Sequence, residues 1–115
     1  MIDLSAVKFN DAGLVAVVVQ ARESREVLMV AWANADALAE TVRSGLATFW
    51  SRSRGELWTK GMTSGSTMRV AEIRLDCDGD SLLYVVDPAG PACHTGRRSC
   101  FYRKMSGEEF IEDEP

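Results

Sequence analysis

The sequence predicts an α+β fold: a small strand-rich domain with a twisted, barrel-like mixed sheet and one or two helices. Three observations predict it. Short β-branched or alternating runs recur along the chain, polar or Gly-bearing turns separate them, and one segment carries both the start and the stop signals of a helix. A length of 115 residues suits one domain with one modest core, and 46% hydrophobic with 26% charged residues is an ordinary globular balance.

GLVAVVVQ, Gly13 to Gln20, is β-branched and reads as a buried strand. ARESRE is a polar turn, and EVLMVAW, Glu26 to Trp32, returns as the second strand of a hairpin. Asn34 caps a helix with Asp36 in its first turn; Leu38, Val42, Ala35 and Ala39 make the expected buried stripe, and Gly45 is the stop. ATFWS, Ala47 to Ser51, is a third strand, RSRG a turn, and ELWTK a short fourth strand. GMTSGST is a loop with two glycines and four hydroxyls.

RVAEIRLDC then alternates. Ala71, Ile73 and Leu75 share one face, Glu72, Arg74 and Asp76 the other, and Val70 is out of phase. DGD turns the chain into SLLYVVD, so residues 69–87 form a second hairpin. The stretch from Pro88 to Ser106 reads as loop with a short strand near Phe101.

The net charge of −4 is uneven. Glu108, Glu109, Glu112, Asp113 and Glu114 crowd residues 108–115, expected to be an acidic, frayed tail on a single domain of residues 1–107. The domain itself holds 13 basic and 12 acidic side chains; with Asp76, Asp78 and Asp80 neutralised by a cation the balance is 13 minus 9, or +4, which suits a small anionic ligand. It lacks the dense basic stripe of a nucleic-acid binder. The longest apolar run, Leu14 to Val19, is too short to span a bilayer, and the first ten residues lack the pattern of an export signal. A cytoplasmic protein with no membrane partner is expected.

LDCDGD, Leu75 to Asp80, sets Asp76, Asp78 and Asp80 on alternate residues around Cys77. Carboxylates suit hard cations such as Mg²⁺, Ca²⁺ or Mn²⁺, whereas thiolates suit softer ones. Strand alternation sends Asp76 and Asp78 one way and Cys77 the other, and Gly79 lets Asp80 bend back. A solvated acidic hairpin tip is the plain rival. An EF-hand is rejected, because its sixth position requires Gly and Ser81 stands there.

The three cysteines, Cys77, Cys93 and Cys100, have spacing C-x15-C-x6-C, which matches no common structural zinc module. Three buried, inert thiols are the alternative. Three thiolates on one zinc would leave the fourth position open to water, as catalytic zinc requires. His94, the only histidine, adjoins Cys93 and fits a proton shuttle better than a ligand. Trp50, Ser51, Arg52, Ser53, Arg54, Lys60, Thr63, Ser64 and Gly65 supply a candidate substrate-binding segment rich in anion-binding groups, with Thr95 added from the histidine motif. Alternation leaves open which of Arg52, Arg54, Arg97 and Arg98 meet a phosphate.

FWSRSRGELWTKGMTSG, RLDCDGD and GPACHTGRRSCFYR, with EVLMVAWANADAL before them, strongly resemble the phosphoribosyl-AMP cyclohydrolase family of histidine biosynthesis across about residues 13–103. The resemblance implies an AMP substrate whose adenine N1 carries a second phosphoribosyl group. Water attacks C6 and the N1–C6 bond opens. It also implies Zn²⁺ on Cys77, Cys93 and Cys100, Mg²⁺ on Asp76, Asp78 and Asp80, and His94 in catalysis. It implies a homodimer in which Cys77 of one subunit joins Cys93 and Cys100 of the other. Some members are fused to a pyrophosphohydrolase; a chain ending at Pro115 is expected to be monofunctional. A base deaminase is disfavoured, because residues 91–93 read only P-A-C and no H-x-E is present. A zinc-stapled dimeric binding module is the non-enzymatic alternative.

Overall fold

The computed structural model describes residues 2–113. Strands β1 (Val15–Ala21) and β2 (Val27–Ala33) form the expected first hairpin. Helix α1 (Ala35–Ser44) follows, then β3 (Thr48–Ser51) and β4 (Glu56–Thr59) as a separate pair. Strands β5 (Met68–Leu75) and β6 (Ser81–Pro88) form the second long hairpin, and β7 (Arg103–Ser106) and β8 (Glu109–Glu112) a third. The main sheet has the order β2-β1-β6-β5 and is mixed, because β1 and β6 run parallel while the outer pairs are antiparallel.

Val15, Val17 and Val19 of β1 and Leu82, Tyr84 and Val86 of β6 point to one face and are buried there. That face is covered by α1 and the β3–β4 pair. Phe49 of β3 stacks on Tyr84 with ring centroids 5.8 Å apart and packs on Trp58 at 5.0 Å. Truncating a fully buried Phe of this kind costs about 3–5 kcal/mol.

The Asn34 side chain accepts the Ala37 N–H at 2.8 Å, and Gly45, at φ +77°, donates its N–H to the Thr41 carbonyl. The cap and stop are therefore those expected. Of the expected stripe Leu38 faces the core, joined there by Ala37 and Thr41, whereas Ala35, Ala39 and Val42 are exposed. Thr41 is tolerated there because its hydroxyl donates to the Ala37 carbonyl at 2.9 Å and accepts the Thr48 N–H at 3.0 Å.

The phase break at Val70 has a physical cause. The β5–β6 register shifts between Val70 and Glu72, which makes Ala71 the extra residue of a bulge. Met68 and Val70 before the bulge, and Ile73 and Leu75 after it, lie opposite Pro88, Val86, Tyr84 and Leu82, on the core face.

Two expectations need correction. The sheet does not close into a barrel. The chain leaving β2 enters α1 instead of a fifth strand, and the β2 edge is met by the Cys100 N–H at the Leu28 carbonyl, 2.8 Å away. At the other edge, β5 takes one isolated bridge, Leu46 with Arg69. The acidic segment is not frayed through residue 112: Glu109–Glu112 pairs with β7 as β8, and Arg97 forms an ion pair with Glu112. Glu114 and Pro115 of that segment lie outside the described residues.

Candidate metal and substrate site

The β5–β6 turn is built around Asp76. Its Oδ1 accepts the N–H groups of Asp80 at 3.0 Å and Ser81 at 3.2 Å. Gly79 sits at φ +80°, and a Cβ there would meet the Ala6 carbonyl oxygen at 2.6 Å. The same glycine's carbonyl accepts the Lys8 N–H at 2.7 Å, so the N-terminal segment braces the turn.

This geometry brings carboxylate oxygens of Asp76, Asp78 and Asp80 within 4.8 Å of one another, all on the surface. Crowding splits their acidities. Desolvation pulls Asp76 up, but hydrogen bonds, led by the Ser81 N–H, outweigh it and hold Asp76 below the usual aspartate range. Asp80 is pushed above that range, chiefly because its protonated form can donate to Asp78 and Asp76. Three converging oxygen donors with unfavourable mutual repulsion fit a hard divalent cation.

The thiols divide into two groups. Cys77 is exposed on the carboxylate turn. Cys93 and Cys100 belong to a loop sewn to β2, where Ser99 Oγ donates to the Val27 carbonyl at 2.7 Å and the Cys100 N–H to the Leu28 carbonyl at 2.8 Å; within the loop the Cys93 N–H donates to the Arg97 carbonyl at 3.1 Å. Among the described residues, Cys77, Cys93 and Cys100 do not form a three-ligand cluster within one chain. Sheet order explains the split. The Cys93–Cys100 loop sits at the β2 edge and Cys77 at the β5–β6 end, with the edge strands about 14 Å apart.

Cys93 is the activated thiol. The Thr95 hydroxyl donates to its sulfur at 3.1 Å and is the main cause holding it below the ordinary cysteine range, with Cys100 and Lys60 contributing. Burial, and then the neighbouring Cys93, push Cys100 up, while Lys60 acts the other way. Lys60 thus reaches the field of both thiols, from a motif 33 residues before the first of them. His94, next to Cys93, is exposed.

The β3–β4 turn organises the anion-binding candidates. Ser51 Oγ accepts the Arg54 N–H at 3.2 Å and lies 3.4 Å from Ser53 Oγ. The Arg54 guanidinium is 3.6 Å from Glu56, and both groups are exposed. Arg52 lies over the Trp32 ring, 5.1 Å from its centroid. Trp50 is half-buried, opposite Leu57.

After β4, Gly61 at φ +82° begins a tight loop, since an added Cβ would meet the Ser66 and Thr67 backbone at 2.1–2.2 Å. Thr63, Ser64 and Gly65 are exposed on it, and the Gly65 N–H closes the loop on the Gly61 carbonyl at 2.7 Å. Three of the four arginines left open are paired with acids: Arg54 with Glu56, Arg97 with Glu112, while also over the Tyr102 ring at 4.1 Å, and Arg98 with Glu26 at 2.6 Å. Trp32 is the site neighbour that sequence reasoning missed. It closes a strand, and nothing in the local pattern ties it to Arg52, 20 residues on.

Among the described residues no helix is long and apolar enough to cross a membrane. A family described as Phosphoribosyl-AMP cyclohydrolase matches residues 29–102. A Methanosarcina acetivorans protein named Phosphoribosyl-AMP cyclohydrolase is 56% identical over 108 residues, covering 94% of this chain and 89% of its own. A Halorhodospira halophila protein of the same name is 52% identical, covering 97% and 79%. The Thermus thermophilus protein named Histidine biosynthesis bifunctional protein HisIE is 58% identical over 110 residues, which cover 95% of this chain and 51% of that protein. With identities of this size over nearly the whole chain, and with the matched span containing the acidic turn, the Lys60 loop and the Cys93–Cys100 loop, this chain belongs to the phosphoribosyl-AMP cyclohydrolase family.

Proposed function

We infer that the chain catalyses hydrolytic opening of the N1–C6 bond of an adenine ring whose N1 carries a phosphoribosyl group, within histidine biosynthesis. The observation carrying this reading is the family match over residues 29–102, which spans the acidic turn, the hydroxyl- and base-rich segment and the thiol loop together. Family membership supplies the substrate class.

The donor sets fit two different metals. Asp76, Asp78 and Asp80 would hold Mg²⁺. Cys93 and Cys100 would hold Zn²⁺ with Cys77 of a second copy, because the three sulfurs do not gather within one chain. When bound, zinc supplies Lewis acidity that brings the pKa of a water molecule close to neutrality. A homodimer is therefore part of the proposal.

The protein's own residues perform the rest. His94, exposed beside the thiol pair, takes a proton from the attacking water and returns one to the departing N1. Thr95 orients Cys93 and favours its thiolate. Ser51, Ser53, Thr63 and Ser64, with backbone at Gly65, offer donors to the two phosphates, and Arg54 and Lys60 offer charge. Arg52 is steered by Trp32, whose neighbour across the hairpin is Ala16. Trp50 provides an aromatic wall next to Ser51.

The test is direct: purified protein is assayed for ring opening of phosphoribosyl-AMP before and after chelation and zinc restoration. Turnover that disappears with zinc and returns with it supports the proposal. Full turnover by zinc-free Cys93→Ala protein would overturn it. Tight zinc binding closed by a fourth protein ligand, without turnover, would favour the dimeric binding module.

A further inference from the structure

Strand register lines up three residues across the face of the main sheet that α1 and the β3–β4 pair leave open. Trp32 of β2 lies opposite Ala16 of β1, and Ala16 opposite Ser81 of β6. Ala16 alternates with the buried Val15 and Val17, so this row faces away from the core. Two strand spacings of about 4.8 Å set Trp32 roughly 10 Å from Ser81. Asp76 comes next: its N–H donates to the Ser81 carbonyl at 3.0 Å, and with Ser81, Val18 and Leu83 it lines a recess of about 380 Å³. Trp32 therefore stands at the acidic-turn end of the sheet, on the face that Asp76 shares.

Arg52 is laid against this row. It follows β3 in a turn closed by the Gly55 N–H on the Ser51 carbonyl at 2.8 Å, and its guanidinium lies over the half-buried Trp32 ring, 5.1 Å from the centroid. Of the four arginines that sequence alone leaves open, three direct their charge at carboxylates: Arg54 at Glu56, Arg97 at Glu112 and Arg98 at Glu26. Among the described residues Arg52 has no acid partner. A ring face attracts the cation without occupying its planar fork of donors. Arg52 is thus held in place and still able to grip a phosphate on two N–H groups.

We propose that Trp32 is a positioning residue for substrate binding: its ring holds Arg52 beside the acidic turn, where the guanidinium takes a phosphate of the nucleotide. This rests on the ring-opening reading and names the arginine and the aromatic support which that reading leaves open. Trp32 itself touches no reacting atom. An untethered Arg52 on an exposed turn would sample many rotamers and lose that freedom on binding; the ring removes part of that loss beforehand. The phosphate is remote from C6, so its contact is the same in the ground state and the transition state. Removing the ring therefore raises KM and leaves kcat.

The experiment is a double-mutant cycle on ring opening of phosphoribosyl-AMP, with Trp32→Leu, Arg52→Gln and the double variant. Trp32→Leu is expected to raise KM about threefold to fivefold with kcat unchanged, and Arg52→Gln about tenfold or more. The double variant should match Arg52→Gln. Trp32→Phe, which restores a ring, should return KM to within about twofold of wild type. A purely structural role for Trp32 would instead add its loss to that of Arg52→Gln. Additive losses, a fall in kcat at unchanged KM, or a Trp32→Phe variant as impaired as Trp32→Leu would overturn the proposal. If Trp32→Leu does not fold by circular dichroism, Trp32→Met takes its place in the cycle.

Calorimetry separates this claim from the proposed function, since it needs no turnover. AMP is compared with adenosine, and ribose 5-phosphate with ribose. Wild-type protein should prefer the phosphorylated member of at least one pair; Trp32→Leu and Arg52→Gln should each shrink that preference, and Trp32→Phe should keep it. Ring opening by wild-type protein, with a phosphate preference that is absent or that Trp32→Leu leaves unchanged, removes only the Trp32–Arg52 assignment. A preference that follows the pair in protein that opens no ring supports the assignment and removes the proposed function.

Discussion

The Thr95 hydroxyl donates to the Cys93 sulfur at 3.1 Å, across the two-residue span that contains His94. This bond stabilises the thiolate over the thiol, so Cys93 remains ionised to lower pH than an ordinary cysteine. Thr95→Val removes the donor while keeping the branched shape. In metal-free protein the pH midpoint for Cys93 alkylation, followed by peptide mass spectrometry, should move upward toward the ordinary value of about 8.5. An unmoved midpoint would show that the hydrogen bond is incidental.

The acidic turn makes a second prediction, with opposite signs at two residues. Asp80 has a raised pKa in the fold, so it weakens the fold as pH climbs past the unfolded aspartate value of about 3.9. Asp76 has a lowered pKa, so its contribution is present above that value and is lost as pH falls through its folded value. At pH 7, Asp80→Asn should therefore raise the melting temperature of metal-free protein and shrink the further rise that Mg²⁺ produces. Asp76→Ala should lower the metal-free melting temperature, because the Asp80 and Ser81 N–H groups lose their acceptor. Melting curves with and without Mg²⁺ read both. An Asp80→Asn variant with unaltered Mg²⁺ response would remove that carboxylate from the cation site.

Gly61 and Gly65 separate steric need from torsional need. Both have positive φ, at +82° and +85°. An alanine Cβ at Gly61 would collide with the Ser66 and Thr67 backbone, whereas at Gly65 it would enter open space. Gly61→Ala should destabilise the protein by well over about 1 kcal/mol, and Gly65→Ala by about 1 kcal/mol. Urea titration distinguishes them, and equal losses would mean that the tight approach to Ser66 is relaxed at little cost.

These cases show why some parts of the molecule were legible in advance. Asn34, Gly45 and the β-branched runs act through nearest neighbours, so their local patterns identified the cap, the stop and both long hairpins. The phase slip at Val70 was visible too, but its cause, a bulge at Ala71, needs the opposing strand. The face of α1 depends on what covers it: Thr41 can be buried because Thr48 satisfies its hydroxyl, and no periodicity in the helix announces that. The candidate metal ligands are recognisable by type and motif, and the structure brings together Asp76, Asp78 and Asp80. Which of them meet within one chain follows from sheet order, and β2 and β5 stand at opposite edges.

Tyr84 makes a prediction about stability alone. It is fully buried under Phe49, and its hydroxyl is the one buried side-chain polar atom without a hydrogen-bond partner among the described residues. Burial pushes the hydroxyl's pKa up, with Thr41 offsetting it in part. A buried group without a partner carries a desolvation cost, so Tyr84→Phe should be neutral or stabilising by about 1 kcal/mol in urea titration. A loss of more than that would reveal a hydrogen bond made in solution.

Complementation between inactive variants tests the division of the sulfurs most sharply. Cys77 and the Cys93–Cys100 pair do not cluster within one chain, so a zinc centre using all three needs two chains. Cys77→Ala and Cys93→Ala proteins should each be inactive alone. In a hybrid dimer, one composite centre carries both substitutions and the other carries neither. Random exchange at equal concentrations makes half of the dimers hybrid, each with one working centre of two, so activity should recover to about one quarter of wild type. Mixing Cys93→Ala with Cys100→Ala is the control. Those two residues come from the same chain in the proposed centre, so every hybrid centre lacks one sulfur and no recovery is expected. Recovery in the control, or none in the first mixture after mass spectrometry confirms hybrid dimers, would reassign the ligands between the chains.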